Sequence, residues 1–187
     1  MKKLAYLILR LFGWKIDKGE IDSVQKAVLV VAPHTSMYDF VIGRMAFFQF
    51  GLKVRFVIKK EMFWFPLGIF LKALGGIPIN RKNPSGVVEQ IANVIKKNDR
   101  IFLAITPEGT RKLNKNWKKG FYHIATKAEV PMVLAYIDYK KKVGGVGPII
   151  QVSGNFEADL EQIQSFYKTI TAKHPKQFSL STLENLH

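Results

Sequence analysis

The sequence predicts a single α/β domain over residues 1–187, with a largely parallel central sheet flanked by helices. Three observations predict it. Short β-branched apolar runs alternate with stretches whose apolar residues recur at helical spacing, the signature of β-α units. A chain of 187 residues fits one domain and buries a core without staples. No internal repeat, low-complexity tract or linker interrupts it.

Taken in order, Ala27–Ala32 reads AVLVVA, a buried strand. Residues Ser36–Phe50 carry apolar residues at helical spacing and end at Gly51, a suitable C-cap. Val54–Ile58 is a second strand, Ser85–Lys97 an amphipathic helix with Val87, Val88, Ile91, Val94 and Ile95 on one side, and Ile101–Ile105 a third strand. Gly120–Ala128 reads as helix, Met132–Ile137 as strand, Ile149–Val152 as one more strand and Leu160–Lys173 as a closing helix.

Two apolar segments admit two readings each. Residues 1–16 (MKKLAYLILRLFGWKI) lack a small-residue cleavage site, so they are no signal peptide, and they are too short and too charged to span a bilayer. Lys2, Lys3, Arg10 and Lys15 beside Tyr6, Phe12 and Trp14 suit a segment lying among lipid headgroups, or a first helix packed on the core. Met62–Ile79 holds a single charge, Lys72, in eighteen residues. Pro66, Gly68, Gly75, Gly76 and Pro78 break any continuous span, which leaves a helical excursion and turn facing core or lipid.

Composition narrows the function. With 48% hydrophobic and 23% charged residues, the chain is globular rather than disordered. It has no cysteine, which excludes disulfides, thiolate metal sites and a cysteine nucleophile. The net charge of +15 is uneven: residues 44–142 hold twenty Lys/Arg against six Asp/Glu, so that segment carries +14. Such a field attracts phosphorylated molecules, anionic lipid or nucleic acid, or merely keeps the surface soluble.

The strand Ala27–Ala32 runs into Pro33-His34-Thr35-Ser36-Met37-Tyr38-Asp39. In open α/β sheets, active groups collect just past the carboxyl ends of strands, which is where His34 falls. Thr35 or Ser36 can cap the following helix and leave Asp39 in its first turn. From there a carboxylate can fold back onto one imidazole nitrogen, fix the tautomer and free the other nitrogen to take a proton from an alcohol. The plainer reading is a helix-capping His with an Asp stabilising the helix dipole. Ile101–Ile105 runs likewise into Thr106-Pro107-Glu108-Gly109-Thr110-Arg111, where Arg111 can grip a phosphate and Gly109 lets backbone amides approach an anion. Alone, that string is a polar turn. Arg81 and Lys59 each end an extended piece with a cation. His123, His174 and His187 have no carboxylate at a telling spacing, and no metal-binding cluster is visible.

As a set, His34–Asp39, Gly76 to Arg81, Glu108–Arg111 and Val130–Val133 resemble the four ordered blocks of the glycerolipid acyltransferase superfamily, nearest to its 1-acyl-sn-glycerol-3-phosphate acyltransferases. The resemblance covers roughly residues 27–137 and extends to Lys59-Lys60-Glu61 and Trp117-Lys118-Lys119-Gly120-Phe121. It implies His34 as general base and Asp39 as its orienter. Glu108, Gly109, Thr110 and Arg111 would bind the acceptor and its phosphate, with further phosphate contacts from Arg81 and Lys59. Val130–Val133 would shape the acyl pocket, although the second proline expected near Leu134 is absent, which bears on chain preference.

The implied reaction moves a fatty acyl group from acyl-CoA or acyl carrier protein to a lysophospholipid hydroxyl. It needs no cofactor, no metal and no covalent acyl-enzyme, and backbone amides near Gly109 are candidate oxyanion donors. The expected setting is the anionic cytoplasmic face of the cell membrane, held peripherally or monotopically. Two alternatives stand beside it: a phosphate-free acceptor such as lyso-ornithine lipid, and a non-catalytic basic module binding membrane or nucleic acid. Three Trp, six Tyr and fourteen Phe would suit base stacking, but they sit within apolar runs such as Phe63-Trp64-Phe65, and no nucleic-acid motif is present. Nucleic acid is not expected as a partner.

Overall fold

Successive side chains of a strand point to opposite faces, so a strand covered on both sides must be apolar throughout. Residues 27–30 meet that demand: Ala27 and Leu29 face one helical layer, Val28 and Val30 the other, and all four are fully buried. Their strand is the central one of seven in a computed structural model that describes residues 2–80 and 84–182.

Among the described residues the elements are α1 (Lys2–Leu11), β1 (Lys15–Asp17), β2 (Lys26–Val31), α2 (Met37–Phe50), β3 (Val54–Lys59), α3 (Leu67–Ala73), β4 (Gly76–Ile79), α4 (Pro84–Lys96), β5 (Ile101–Ile105), α5 (Gly120–Ala128), β6 (Met132–Asp138), β7 (Val143–Ile150) and α6 (Phe156–Tyr167). The sheet order is β1-β7-β6-β2-β5-β3-β4. Every neighbouring pair is parallel except β6 with β7. The carboxyl ends of β2, β3, β5 and β6 therefore share one edge of the sheet. This is the predicted fold class, a single α/β domain with a mostly parallel sheet.

Helices α1 and α2 cover one face, where Leu9, Ile42 and Phe47 are buried against Leu29, Val54, Val133 and Ile137. Helices α4, α5 and α6 cover the other, burying Ile91, Ile95, Phe121, Leu160, Ile163 and Tyr167. The Tyr167 hydroxyl is fully buried and donates to the carbonyls of Val30 at 2.6 Å and Ala135 at 3.2 Å, tying α6 to both β2 and β6. A buried hydroxyl without such a partner would cost about 1–3 kcal/mol.

Several boundaries differ from the sequence reading. The strand expected at Ile149–Val152 is β7, which begins at Val143 and ends at Ile150. Its start, Val-Gly-Gly-Val-Gly, lacks strand propensity and is held by pairing: Gly145 lies so close to β1 that an added Cβ would sit 1.9 Å from the Asp17 carbonyl oxygen. The closing helix is Phe156–Tyr167 rather than Leu160–Lys173, because the Asn155 side chain caps it by accepting from the Ala158 N–H at 3.1 Å. Strand β1 has only three residues and carries no periodic signal.

The two ambiguous segments are resolved in part. Helix α1 buries Ala5 and Leu9 against the domain, while Leu4, Leu7, Leu11 and Phe12 are 60–82% exposed. Within 62–79 the second half joins the sheet as β4, with Ile79 buried, but Trp64, Phe65, Ile69 and Phe70 stand 59–82% exposed around α3. Helix α2 is apolar on nearly every side, burying Ile42, Ala46 and Phe47 while exposing Met37, Tyr38, Phe40, Val41 and Phe48. Among the described residues no helix is long and apolar enough to cross a membrane.

Candidate active site

The site grows from the junction of β2 and α2. Of the two possible caps, Ser36 is the one used: its hydroxyl accepts from the Tyr38 N–H at 3.2 Å. Asp39 answers in the opposite direction, its Oδ2 accepting from the backbone N–H groups of Ser36 and Thr35, both at 2.8 Å. This reciprocal capping box supplies acceptors that the first turn of a helix otherwise lacks. It also aims the carboxylate back past the cap, so that Oδ2 lies 3.3 Å from His34 Nδ1. The Tyr139 hydroxyl donates to the other oxygen, Oδ1, at 2.7 Å.

Burial by itself would raise the Asp39 pKa. Hydrogen bonds from His34, Tyr139 and the Ser36 N–H outweigh that and hold the carboxyl below its ordinary value. Asp39 is therefore an anion with a side chain only 2% exposed, beside a histidine whose side chain is 21% exposed. That pairing fixes the imidazole tautomer with Nδ1 toward Asp39 and leaves Nε2 for a group arriving from outside. Such an arrangement can remove a proton from an alcohol.

The loop after β5 closes against this junction. Glu108 is buried, and its Oε2 accepts from the His34 backbone N–H at 2.8 Å. Burial pushes the Glu108 carboxyl up to about 7, against the opposing pull of that N–H and of the His34 ring. Its Oε1 is also buried and has no hydrogen-bond partner among the described residues. The loop holds its shape through backbone bonds from Gly109 N–H to Thr106 O (3.2 Å) and Lys118 N–H to Pro107 O (2.8 Å), and through Asn114, which donates to Glu108 O at 2.7 Å. Gly109 has φ +67°, and the Lys118 side chain crosses it 3.1 Å from where a Cβ would stand. Only glycine meets both demands without strain.

His34 and Asp39 open onto a cavity of about 470 Å³ whose walls come from both faces of the sheet. Phe40, Phe47 and Phe56 line one part, and Ile91, Ile105 and Phe121 another. Thr106, Gly109 and Lys118 join His34 in the lining, as does the half-buried Arg44. An apolar hollow with a few polar groups at its opening is the usual form of a small-molecule site.

The structure thus brings His34, Asp39, Glu108 and Gly109 together at one sheet edge. Glu108 meets the site differently from the sequence expectation, since one oxygen braces the His34 backbone and only Oε1 is left for a substrate. Thr110 is half-buried and Arg111 exposed on the same loop, neither lining the cavity. Lys59 is exposed at the carboxyl end of β3, and Arg81 lies outside the described residues. Val130–Val133 are largely buried at the amino end of β6, away from the cavity, which Ala135, Tyr136 and Ile137 of the same strand do line. Two residues absent from the sequence reading are Tyr139 and Arg44, while Lys118, named there only within the Trp117–Phe121 string, lines the cavity. Tyr139 lies one hundred residues from Asp39, so no local spacing announces it.

Comparison with known proteins adds relatives. A family model described as acyltransferase matches residues 15–138. The chain is 29% identical over 135 residues to a 1-acyl-sn-glycerol-3-phosphate acyltransferase of Limnanthes alba, covering 68% of this chain and 46% of that protein. It is 35% identical over 116 residues to a protein of the same description from Streptococcus pneumoniae, covering 61% and 42%. The chain therefore spans about half the length of the relatives it matches. In structure it is similar to the crystal structure of a 1-acyl-sn-glycerophosphate acyltransferase from Thermotoga maritima, with a TM-score of 0.61 at 17% identity, covering 92% of this chain and 80% of that one.

Proposed function

The chain belongs to the acyltransferase family, and on that premise we propose that it transfers a fatty acyl group from acyl-CoA or acyl carrier protein to the free hydroxyl of a lysophospholipid, lysophosphatidate to phosphatidate being the leading case. The observation that carries this reading is the His34–Asp39 contact of 3.3 Å at the opening of an apolar cavity. The relatives' descriptions, which name 1-acyl-sn-glycerol-3-phosphate, point the same way.

In this reading the acyl chain lies in the apolar cavity with its thioester carbonyl near His34. The acceptor hydroxyl gives its proton to His34 Nε2 as its oxygen bonds to the carbonyl carbon. The tetrahedral oxyanion collapses, the carbon–sulfur bond breaks, and the departing thiolate takes the proton from the imidazolium. Asp39 stabilises the transient imidazolium without being protonated itself. Each donor to the oxyanion contributes about 3–4 kcal/mol to the transition state. Backbone amides near Gly109 are the candidates to supply one. Arg111, Lys118, Lys59 and Arg81 provide the positive field for acceptor phosphate and for the donor's phosphates.

The exposed apolar side chains of α1, α2 and residues 62–74 favour docking on the anionic cytoplasmic face of a cell membrane without spanning it. Lys2, Lys3, Arg10, Lys59, Lys60 and Lys72 accompany them.

The test is direct. Purified protein is incubated with labelled lysophosphatidate, 1-monoacylglycerol or lyso-ornithine lipid and a panel of acyl-CoA and acyl carrier protein thioesters, and products are identified by mass. Product from lysophosphatidate supports the leading case, and product from lyso-ornithine lipid alone moves the assignment to a phosphate-free acceptor. No product from any pair, together with salt-sensitive binding to single-stranded nucleic acid, overturns it.

A further inference from the structure

Asp39 spends both oxygens inside the protein. Oδ2 serves the Thr35 and Ser36 N–H groups and His34 Nδ1, while Oδ1 accepts, among the described residues, from the Tyr139 hydroxyl at 2.7 Å. A carboxylate gripped only through Oδ2 is less firmly set about its Cβ–Cγ bond than one held at both oxygens, and a turn there carries Oδ2 off the imidazole. The Tyr139 hydroxyl stops it.

Tyr139 is itself held on three sides. It follows Asp138, whose Oδ1 accepts from the N–H groups of Lys140 and Lys141 at 3.0 Å and so closes the turn into β7. Its own N–H donates to Thr171 O at 2.9 Å, and its ring meets Trp14 edge-on, with centroids 5.2 Å apart and planes at 89°. Burial and the hydrogen bond to Asp39 push the phenol pKa upward, so Tyr139 stays a donor. None of these contacts is needed to build the helix cap, which Ser36 and Asp39 Oδ2 complete.

We propose that Tyr139 is a positioning residue for acyl transfer, fixing the plane of the Asp39 carboxylate so that Oδ2 faces His34. The inference rests on the reading of His34 as general base. Trp14 buttresses Tyr139 from the α1 side, so the N-terminal apolar segment is mechanically joined to the catalytic pair. The titratable or charged groups around that pair are Glu108 under the His34 backbone, Lys118 across Gly109 and Arg44 in the cavity wall. From the segment after α6, His174 donates its backbone N–H to Thr35 Oγ1, and the Lys173 ammonium lies over the Tyr38 ring.

Tyr139→Phe keeps the ring and the Trp14 contact while deleting the hydroxyl. We expect kcat with lysophosphatidate to fall roughly five- to fiftyfold while the acceptor KM stays within about twofold. A Tyr139→Phe enzyme with unchanged kcat overturns the proposal. An arm independent of turnover is the proton resonance of His34 Nδ1, which should shift in Tyr139→Phe and stay put in Trp14→Phe. If the wild type transfers no acyl group, the base assignment fails by itself, whereas an unshifted resonance sinks the Tyr139 role on its own.

Discussion

Glu108 Oε2 and the His34 backbone N–H are 2.8 Å apart, joining the loops after β5 and β2, seventy-four residues apart in sequence. The carboxyl acts as a strut from one loop to the other, and its pKa, raised by burial to about 7, makes that strut sensitive to pH. The neutral form is favoured in the fold, so the folded chain holds a proton that the unfolded chain has released. The stabilisation is complete below the ordinary value of 4.5 and is lost as pH rises through about 7. Glu108→Gln keeps an acceptor for His34 but cannot titrate. Its melting temperature should therefore change less than wild type between pH 4.5 and pH 7, and parallel curves would refute the assignment. Glu108→Ala leaves the N–H without its acceptor and should cost about 1–3 kcal/mol at pH 5, read by urea titration.

Replacing His34 by Ala should lower kcat by about two to four orders of magnitude with little change in the urea midpoint. Asp39→Asn should lower it comparably, because an amide no longer dictates the imidazole tautomer. The depressed Asp39 pKa adds a pH signature of opposite sign to that of Glu108. Its stabilisation is present above the ordinary value of 3.8 and is lost as pH falls through the lower folded value. Acid unfolding of Asp39→Asn should accordingly be less steep below pH 4.

Ser36→Ala removes the side-chain half of the capping box and should destabilise the domain by about 1 kcal/mol. The loss should be absent in a double variant that also carries Asp39→Ala if the two caps act as one unit. Additive losses in the double-mutant cycle would show that they do not.

Arg111→Ala should raise KM for lysophosphatidate about tenfold and leave KM for 1-monoacylglycerol unchanged, the mark of a phosphate contact. Equal effects on both acceptors would assign Arg111 to the loop's architecture.

Leu7 and Leu11 stand 64% and 82% exposed on α1. Changing both to Glu should abolish flotation with anionic vesicles while shifting the melting temperature by no more than a few degrees, since neither contributes to the core. Retained flotation would move the docking surface to α2 or to residues 62–74.

The layered fold was legible because its strands are apolar on both sides and its helices on one. His34 and Asp39 were legible for a local reason: strand end, cap and first helical turn fall within nine consecutive residues, Val31 to Asp39. What stayed hidden depends on distant pairing. The glycines opening β7 look like loop until Asp17 and Tyr136 lie beside them. The Glu108 strut stayed hidden because its partner, the His34 N–H, is a backbone group seventy-four residues away. Tyr139 carried no signal at all, since a tyrosine after a strand is ordinary until the sheet order brings it to Asp39.

The grip of Tyr167 on Val30 and Ala135 has a consequence for shortened forms of this domain and for its birth on the ribosome. The family match stops at residue 138, yet Leu160, Ile163 and Tyr167 are fully buried against the core. A polypeptide cut at that boundary uncovers part of one sheet face and takes from the Val30 carbonyl its Tyr167 donor. The nascent chain is in the same state until α6 has cleared the exit tunnel, so the sheet edge beside His34 is covered only after α6 is made.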